Sequence, residues 1–194
     1  MALIAPSIAA IVAGNLAAAQ ILGITQPRLA SAISIGFSSY VLSSVTVTTV
    51  DAGIAGSGTG FGQGIFLAPP ILQGALNTTF AGAGILGIFQ QPLIAAIANS
   101  ISQSLLTATI LTVDVGVGTG AGVVATLIPN SVSHIASMYS AFISHGIAGP
   151  YSIPLATAIA TGIDASLPSS RGFTVIAGGG APPPSSGVGI GRLV

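Results

Sequence analysis

Cysteine, tryptophan, lysine and glutamate are all missing from this chain of 194 residues. The absence of cysteine excludes disulfides, thiolate metal sites and cysteine nucleophiles. The absence of lysine excludes the phosphate-binding loop whose signature ends in Gly-Lys-Ser/Thr. With no glutamate and three aspartates, the sequence contains no paired carboxylates for acid–base catalysis.

Charge of either sign is equally scarce. Charged residues make up 3% of the chain, against roughly 25% in ordinary soluble domains. They are Arg28, Arg171, Arg192, Asp51, Asp114 and Asp164, and they sum to a formal net charge of zero. A chain with so little charge has almost no electrostatic barrier to self-association, so we expect its surface to be covered by other protein chains or by lipid.

The basic residues are too few for a nucleic-acid partner. Binding along a phosphate backbone requires several Lys or Arg contacts, which three scattered arginines cannot supply. The sequence also predicts no cofactor, and no catalytic, cofactor-binding or metal-ligating residue.

Long apolar runs are missing too, although 51% of the residues are hydrophobic. A membrane-spanning helix needs roughly 20 consecutive apolar residues, whereas Pro, Gly, Asn, Gln or Ser interrupts each stretch here within about a dozen. There is no Lys/Arg cluster to orient the chain in a bilayer and no tryptophan for an interfacial belt. The opening MALIAPSIAAIVAG lacks the basic leader of a signal peptide. An integral membrane protein is therefore the alternative interpretation.

What the chain does contain is an internal repeat. Three segments, at 21–41, 85–105 and 147–167, align residue by residue. Apolar residues recur in each segment at a spacing of four, which predicts a helix with one apolar stripe. The aligned stripe positions are Leu29, Leu93 and Leu155; Ile33, Ile97 and Ile159; Phe37, Ile101 and Ile163; and Val41, Leu105 and Leu167.

Each stripe helix has predicted neighbours on both sides. A further helix precedes it, at roughly 6–22, 69–83 and 130–145. Runs rich in β-branched residues follow it, VTVTTV, ATILTV and GFTVIA, and predict strands. A glycine-rich segment after each strand is predicted to be a loop. The prolines expected just ahead of the stripe helices are Pro27, Pro92 and Pro154.

These patterns predict an α+β fold of three tandem helix–helix–strand repeats of about 62–64 residues in a pseudo-threefold arrangement. The predicted repeats cover 1–64, 65–127 and 128–194, and together form one compact domain.

The stretch TVDVGVGTGAG has the Gly-x-Gly-x-x-Gly/Ala spacing of a dinucleotide-binding loop, at Gly116, Gly118 and Ala121. The corresponding GIAGSG and GGGAPP segments do not keep that spacing, and the acidic residue expected about 20 residues further on is missing. The sequence therefore predicts a chain-reversing turn here and no nucleotide site.

Asp51 and Asp114 hold the same position in their repeats, directly after a predicted strand. The favoured interpretation is a carboxylate that accepts backbone N–H bonds in the following turn. The alternative is a ring of carboxylates that binds a cation on an oligomer axis.

His134 and His145 lie eleven residues apart on one predicted helix, about three turns, so we expect both on one face. That spacing is too long for joint metal ligation, for which i and i+4 is the working pattern. Packing or contact roles are expected. Abundant serine by itself defines no Ser-His-Asp triad, and no enzymatic activity is predicted.

These features favour a non-enzymatic structural subunit of a symmetric assembly, because obligate interfaces resemble a protein core cut in half. The expected setting is a tailed-phage virion, in the tail or baseplate. The expected partners are further copies of the chain, in a closed homo-oligomer with three- or sixfold symmetry favoured, and other structural subunits. Membrane contact stays open, and the alternative function is a small integral membrane or pore-forming protein made of helical hairpins.

Overall fold

The computed structural model describes the backbone of most of the chain and the side chains of a smaller part of it. The backbone is described for 5–44, 46–54, 57–65, 69–115, 118–169, 172–179 and 185–193, and side chains for 5–41, 69–108 and 129–168. The helices are α1 (Ala5–Ala18), α2 (Gln26–Ser44), α3 (Pro69–Gly82), α4 (Gln90–Leu106), α5 (Ser131–Ser144) and α6 (Ser152–Ser166), which a 3-10 turn, Leu167–Ser169, follows. The strands are β1 (Thr46–Ile54), β2 (Ser57–Ile65), β3 (Thr109–Val115), β4 (Gly118–Ile128), β5 (Gly172–Gly179) and β6 (Ser185–Leu193).

The six helices form a closed ring. Each packs against the next in chain order, and α6 packs back against α1. The first helix of each pair buries one row of three residues at a spacing of four, and these rows are Ile8, Val12 and Leu16; Leu72, Leu76 and Phe80; and His134, Met138 and Phe142. A row with that spacing runs along one side of a helix, so the other side is left to solvent.

The second helices bury the stripe that the sequence predicts. From Ile33, Ile97 and Ile159 onward, every stripe position is at most 2% exposed. The three leucines that begin the stripe are partly buried and pack against the same cluster. The described core therefore lies inside the helical ring, and α2, α4 and α6 contribute most of it.

Glycine allows two seams of the ring to close tightly. A Cβ added to Gly36 of α2 would lie 2.8 Å from Leu76 Cδ2, and one added to Gly162 of α6 would lie 2.5 Å from Val12 Cγ2. Real Cβ atoms do not approach other atoms so closely. The missing side chain therefore lets neighbouring helix pairs pack backbone against side chain.

Polar side chains join the same two seams. Thr79 Oγ1 donates to the Ala32 carbonyl at 2.8 Å, and Asn15 Nδ2 donates to the Ala158 carbonyl at 3.3 Å. Both donors lie on the first helix of a pair, and both acceptors lie on the second helix of a neighbouring pair. Asn15 Nδ2 also donates to Thr161 Oγ1 of α6, so this seam is joined by two hydrogen bonds.

A left-handed residue ends the first helix of every pair. It is Gln20 (φ 58°), Gly84 (φ 69°) or Gly146 (φ 76°). The next residue donates its N–H back across six residues, as in Ile21 to Leu16 at 2.9 Å, which is the Schellman closure of a helix. The chain thus reverses within a few residues and enters the second helix antiparallel to the first.

The three prolines lie inside their helices rather than ahead of them. Pro27 is the second residue of α2, and Pro92 and Pro154 are the third residues of α4 and α6. The first N–H groups of a helix have no carbonyl partner within it, so proline removes no hydrogen bond there.

Antiparallel strand pairs connect one helix pair to the next. Each strand pairs with its neighbours in chain order, and β1 also pairs with β6, so the six strands close into one sheet. The second strand of each pair is glycine-rich and is the segment that the sequence predicts to be a loop. Its residues pair in register with both neighbours, as Gly60 does with Asp51 of β1 and Thr112 of β3.

The predicted α+β fold of helix–helix–strand repeats is wrong. Across 5–41, 69–108 and 129–168, where side chains are described, the structure is all-helical, with six helices and no strand. The second strand of each strand pair is glycine-rich, and glycine has low strand propensity, so these segments look like loops in the sequence. The repeat boundaries predicted at 64/65 and 127/128 stay predictions.

Candidate functional site

The two aspartates singled out from the sequence lie within strands. Asp51 pairs with Gly60 and Gly187, and Asp114 pairs with Gly58 and Gly122. The predicted location in a turn after the strand is therefore wrong. Their side chains lie outside the described residues, so cation binding stays a prediction.

The Gly-x-Gly-x-x-Ala stretch does not open a helix. Gly116 lies outside the described residues, whereas Gly118 and Ala121 belong to β4, and the next helix begins only at Ser131. A dinucleotide-binding loop delivers the phosphates directly to a helix N-terminus. The strand assignment of 118–128 is incompatible with that geometry.

A buried contact between a histidine and an aspartate joins the last two helices. His134 in the first turn of α5 places its Nδ1 2.7 Å from Oδ1 of Asp164 in the last turn of α6. The side chains are 1% and 3% exposed. The pair forms because antiparallel helices bring the start of one beside the end of the other.

The pair replaces apolar and hydroxyl residues of the other two units. His134 takes the place of Ile8 and Leu72 in the buried rows. The repeat alignment puts Asp164 where the other stripe helices have Ser38 and Ser102. The third helix pair, α5 and α6, therefore has polar residues at two positions where the first two helix pairs have an apolar residue and a serine.

Further buried polar groups lie at the same, strand-facing end of the ring. Four buried polar atoms have no hydrogen-bond partner among the described residues: Ser38 Oγ, Ser104 Oγ, His134 Nε2 and Asp164 Oδ2. Burial raises the pKa of Tyr40, and a hydrogen bond with Ser102 opposes that rise. Buried polar atoms without a hydrogen-bond partner lower the stability of the fold, so these atoms weaken the strand-facing end of the core.

The geometry of the pair fits a structural role. Ser100 Oγ donates to the backbone carbonyl of His134 at 3.4 Å rather than to its ring. His134 Nε2, the atom that would take a proton from a nucleophile, is buried. The pair therefore faces the packed interior and not a substrate-accessible surface.

Sequence reasoning recognised His134 as a packing residue but missed its partner. His134 is buried, whereas His145 is the half-buried C-cap residue that follows Ser144. That the two histidines share a face stays a prediction. One signal could have revealed the pair. Asp164 lies beside stripe residue Ile163, and a carboxylate on a buried helix face needs a partner.

The opposite end of the ring carries most of the strongly exposed large apolar residues. We define the apolar rim as the exposed large side chains of the three turns that join the helices within each pair, together with the following first turn of α6. The rim consists of Leu22, Ile24, Leu86, Ile88, Phe89, Tyr151 and Ile153. Ile24 and Ile88 are 84% and 86% exposed. All three turns lie at the end away from the strands, because the strands connect the other helix ends.

Shallow clefts lie beside the rim. One of about 640 Å³ is lined by Pro27, Arg28 and Ser31 of α2 together with residues 82–84. Another of about 330 Å³ lies between α1 and α6, next to Ile153. These clefts separate the first turn from the second and from the third, so the rim is not one smooth patch.

Among the helices that the structure describes, none combines the length and apolar content that crossing a membrane requires. No protein-family model, curated protein or solved structure matches the chain.

Proposed function

We propose that the chain is a non-enzymatic structural subunit of a symmetric assembly, of the kind found in the tail or baseplate of a tailed phage. The closed helical ring is the observation that supports this most directly. Helices of the same chain fill every seam, since α6 packs on α1. Such a ring needs no second copy to complete its helix seams, so neighbouring subunits bind outside those seams.

The scarcity of charge supports permanent incorporation. Of the two charged residues whose side chains are described, Arg28 is exposed and Asp164 is buried. Net charge keeps proteins soluble and apart, and this chain has a formal net charge of zero. A subunit held by neighbours does not need that repulsion. The proposed partners are other structural subunits and further copies of the chain.

Quantification in native particles tests the proposal. Particles from the source of this sequence would be purified by density gradient, and the chain measured by mass spectrometry against labelled peptides of it and of a major subunit. We expect one fixed ratio that survives high salt and needs no detergent. A chain that is absent from particles and stays in carbonate-washed membranes would overturn the proposal and favour the integral membrane alternative.

A further inference from the structure

The large apolar side chains of the apolar rim are highly exposed to solvent, although the core of the same protein is well buried. Its residues are 55% to 86% exposed, whereas the rows and stripes below them are almost fully buried. The rim residues come from all three helix-joining turns, so similar tips point away from the strands at three places on the ring. Leu22 and Ile24 are equivalent to Leu86 and Ile88, whereas the third turn has Ala148 and Pro150 there and contributes Tyr151 instead. Exposed apolar side chains in all three turns indicate a contact surface.

The three turns contain no Asp, Glu, Lys or Arg, and the half-buried His145 is the one basic residue among them. These turns are residues 18–26, 82–91 and 144–153. The nearest described charge is the exposed cation of Arg28, two residues beyond the first turn. A surface with apolar tips, a nearby cation and no carboxylate is complementary to a phospholipid surface, which is neutral or anionic.

Much of the backbone in these turns already has hydrogen-bond partners. In each turn the helix closure supplies three N–H bonds, as at Ala19, Gln20 and Ile21. A fourth N–H, of Gln26, Gln90 or Ser152, donates to the glycine carbonyl three residues earlier. Backbone groups without partners are costly in an apolar medium, so internal bonding lowers the cost of placing these turns among lipids.

A second copy of the chain fits the rim less well. Stable protein interfaces bury about 800 Å² and roughly 20–30 residues on each partner. The rim offers seven large apolar residues on separate tips, with clefts between them. Separate tips enter a fluid lipid layer without needing a complementary pocket for each.

We propose that the apolar rim inserts into the interfacial layer of a phospholipid bilayer, with Phe89 and Tyr151 at headgroup depth, where aromatic residues are favoured. This goes beyond the proposed structural function and does not depend on it. The contact is peripheral: the helix-joining turns enter the bilayer and the ring stays outside.

The absence of tryptophan from the chain makes a site-specific test possible. Phe89→Trp puts one fluorophore on the rim. Val132→Trp puts one at an 81% exposed apolar position at the start of α5, the opposite end of the ring. On addition of phosphatidylcholine vesicles to the full chain, we expect a blue shift and quenching by brominated lipid for Phe89→Trp, and neither for Val132→Trp.

Vesicle flotation measures the contribution of individual tips. The double variant Ile24→Asn/Ile88→Asn is expected to bind at least about tenfold more weakly than the unaltered chain, because two large apolar side chains leave the lipid. The matched control Val132→Asn should bind as the unaltered chain does. Circular dichroism before flotation checks that each variant is folded.

Two outcomes would overturn the proposal. One is failure of the folded chain to float with phosphatidylcholine vesicles, with or without phosphatidylglycerol. The other is self-association in vesicle-free buffer that the double variant abolishes, which would make the rim an interface between copies. Both tests use the isolated chain, so neither result alters the particle measurement that tests the structural function.

Discussion

Replacing the buried His134–Asp164 contact with the residues found at the same positions of the second helix pair tests how the third helix pair is built. His134→Leu introduces the residue found at position 72, and Asp164→Ser introduces the residue found at position 102. Leu72 is fully buried in its own row, so leucine fits the common arrangement. The two single variants and the double variant form a thermodynamic cycle.

The magnitudes follow from burial. His134→Leu leaves the Asp164 carboxylate, 3% exposed, without its partner, and should lower the free energy of unfolding by about 3–5 kcal/mol. Asp164→Ser leaves a ring nitrogen without its partner and should cost about 1–3 kcal/mol. The double variant removes both polar partners together and should match the unaltered chain or exceed it by about 1–4 kcal/mol.

Urea unfolding followed by far-ultraviolet circular dichroism provides these free energies. We expect the double variant to be far more stable than the sum of the single losses. A His134→Leu variant within about 1 kcal/mol of the unaltered chain would refute burial of the pair. Strict additivity of the two losses would refute the contact between His134 and Asp164.

Three further perturbations test the core and the turns. Gln20→Gly should raise the free energy of unfolding by about 0.5–1 kcal/mol, because glycine adopts φ 58° without strain. The control Gly84→Ala should lower the free energy of unfolding by a similar amount. A destabilising effect of Gln20→Gly would contradict the left-handed conformation of this turn. Ile97→Asp should lower the free energy of unfolding in urea by more than about 4 kcal/mol, whereas Gln103→Asp on the exposed side of α4 should leave it nearly unchanged. Equal losses of free energy in the two variants would show that the stripe is not buried. Because burial raises the pKa of Tyr40 above 10.0, its neutral phenol stabilises the fold up to that pH, and the stabilisation is lost as the pH rises further. Tyr40→Phe should flatten this alkaline decline in the free energy of unfolding. An unchanged decline would refute the raised pKa of Tyr40.

The periodic part of the fold could be predicted from the sequence. A spacing of four identified Ile33, Ile97 and Ile159 as core residues, and all three are fully buried. Helix periodicity is local, so a single segment carries the whole signal. The paired helices and their tight turns could be recognised for the same reason.

The long-range part could not be predicted. The glycine-rich strands contain few residues of high strand propensity and pair only because neighbouring strands lie beside them, as Gly60 lies between Asp51 and Thr112. The contact of His134 with Asp164 joins residues 30 apart in the chain. Such contacts depend on how helices are arranged, which no window of the sequence records.

Closure of the helical ring has a consequence for how the protein folds. The bond from Asn15 to Ala158 joins residues 143 apart, whereas the one from Thr79 to Ala32 spans 47. The longer loop costs about 1 kcal/mol more in chain entropy, so the α1–α6 seam should be the last to form during folding. Until it does, α1 of one molecule can dock on α6 of another. At high concentration, domain-swapped chains of rings are therefore the expected misfolded product.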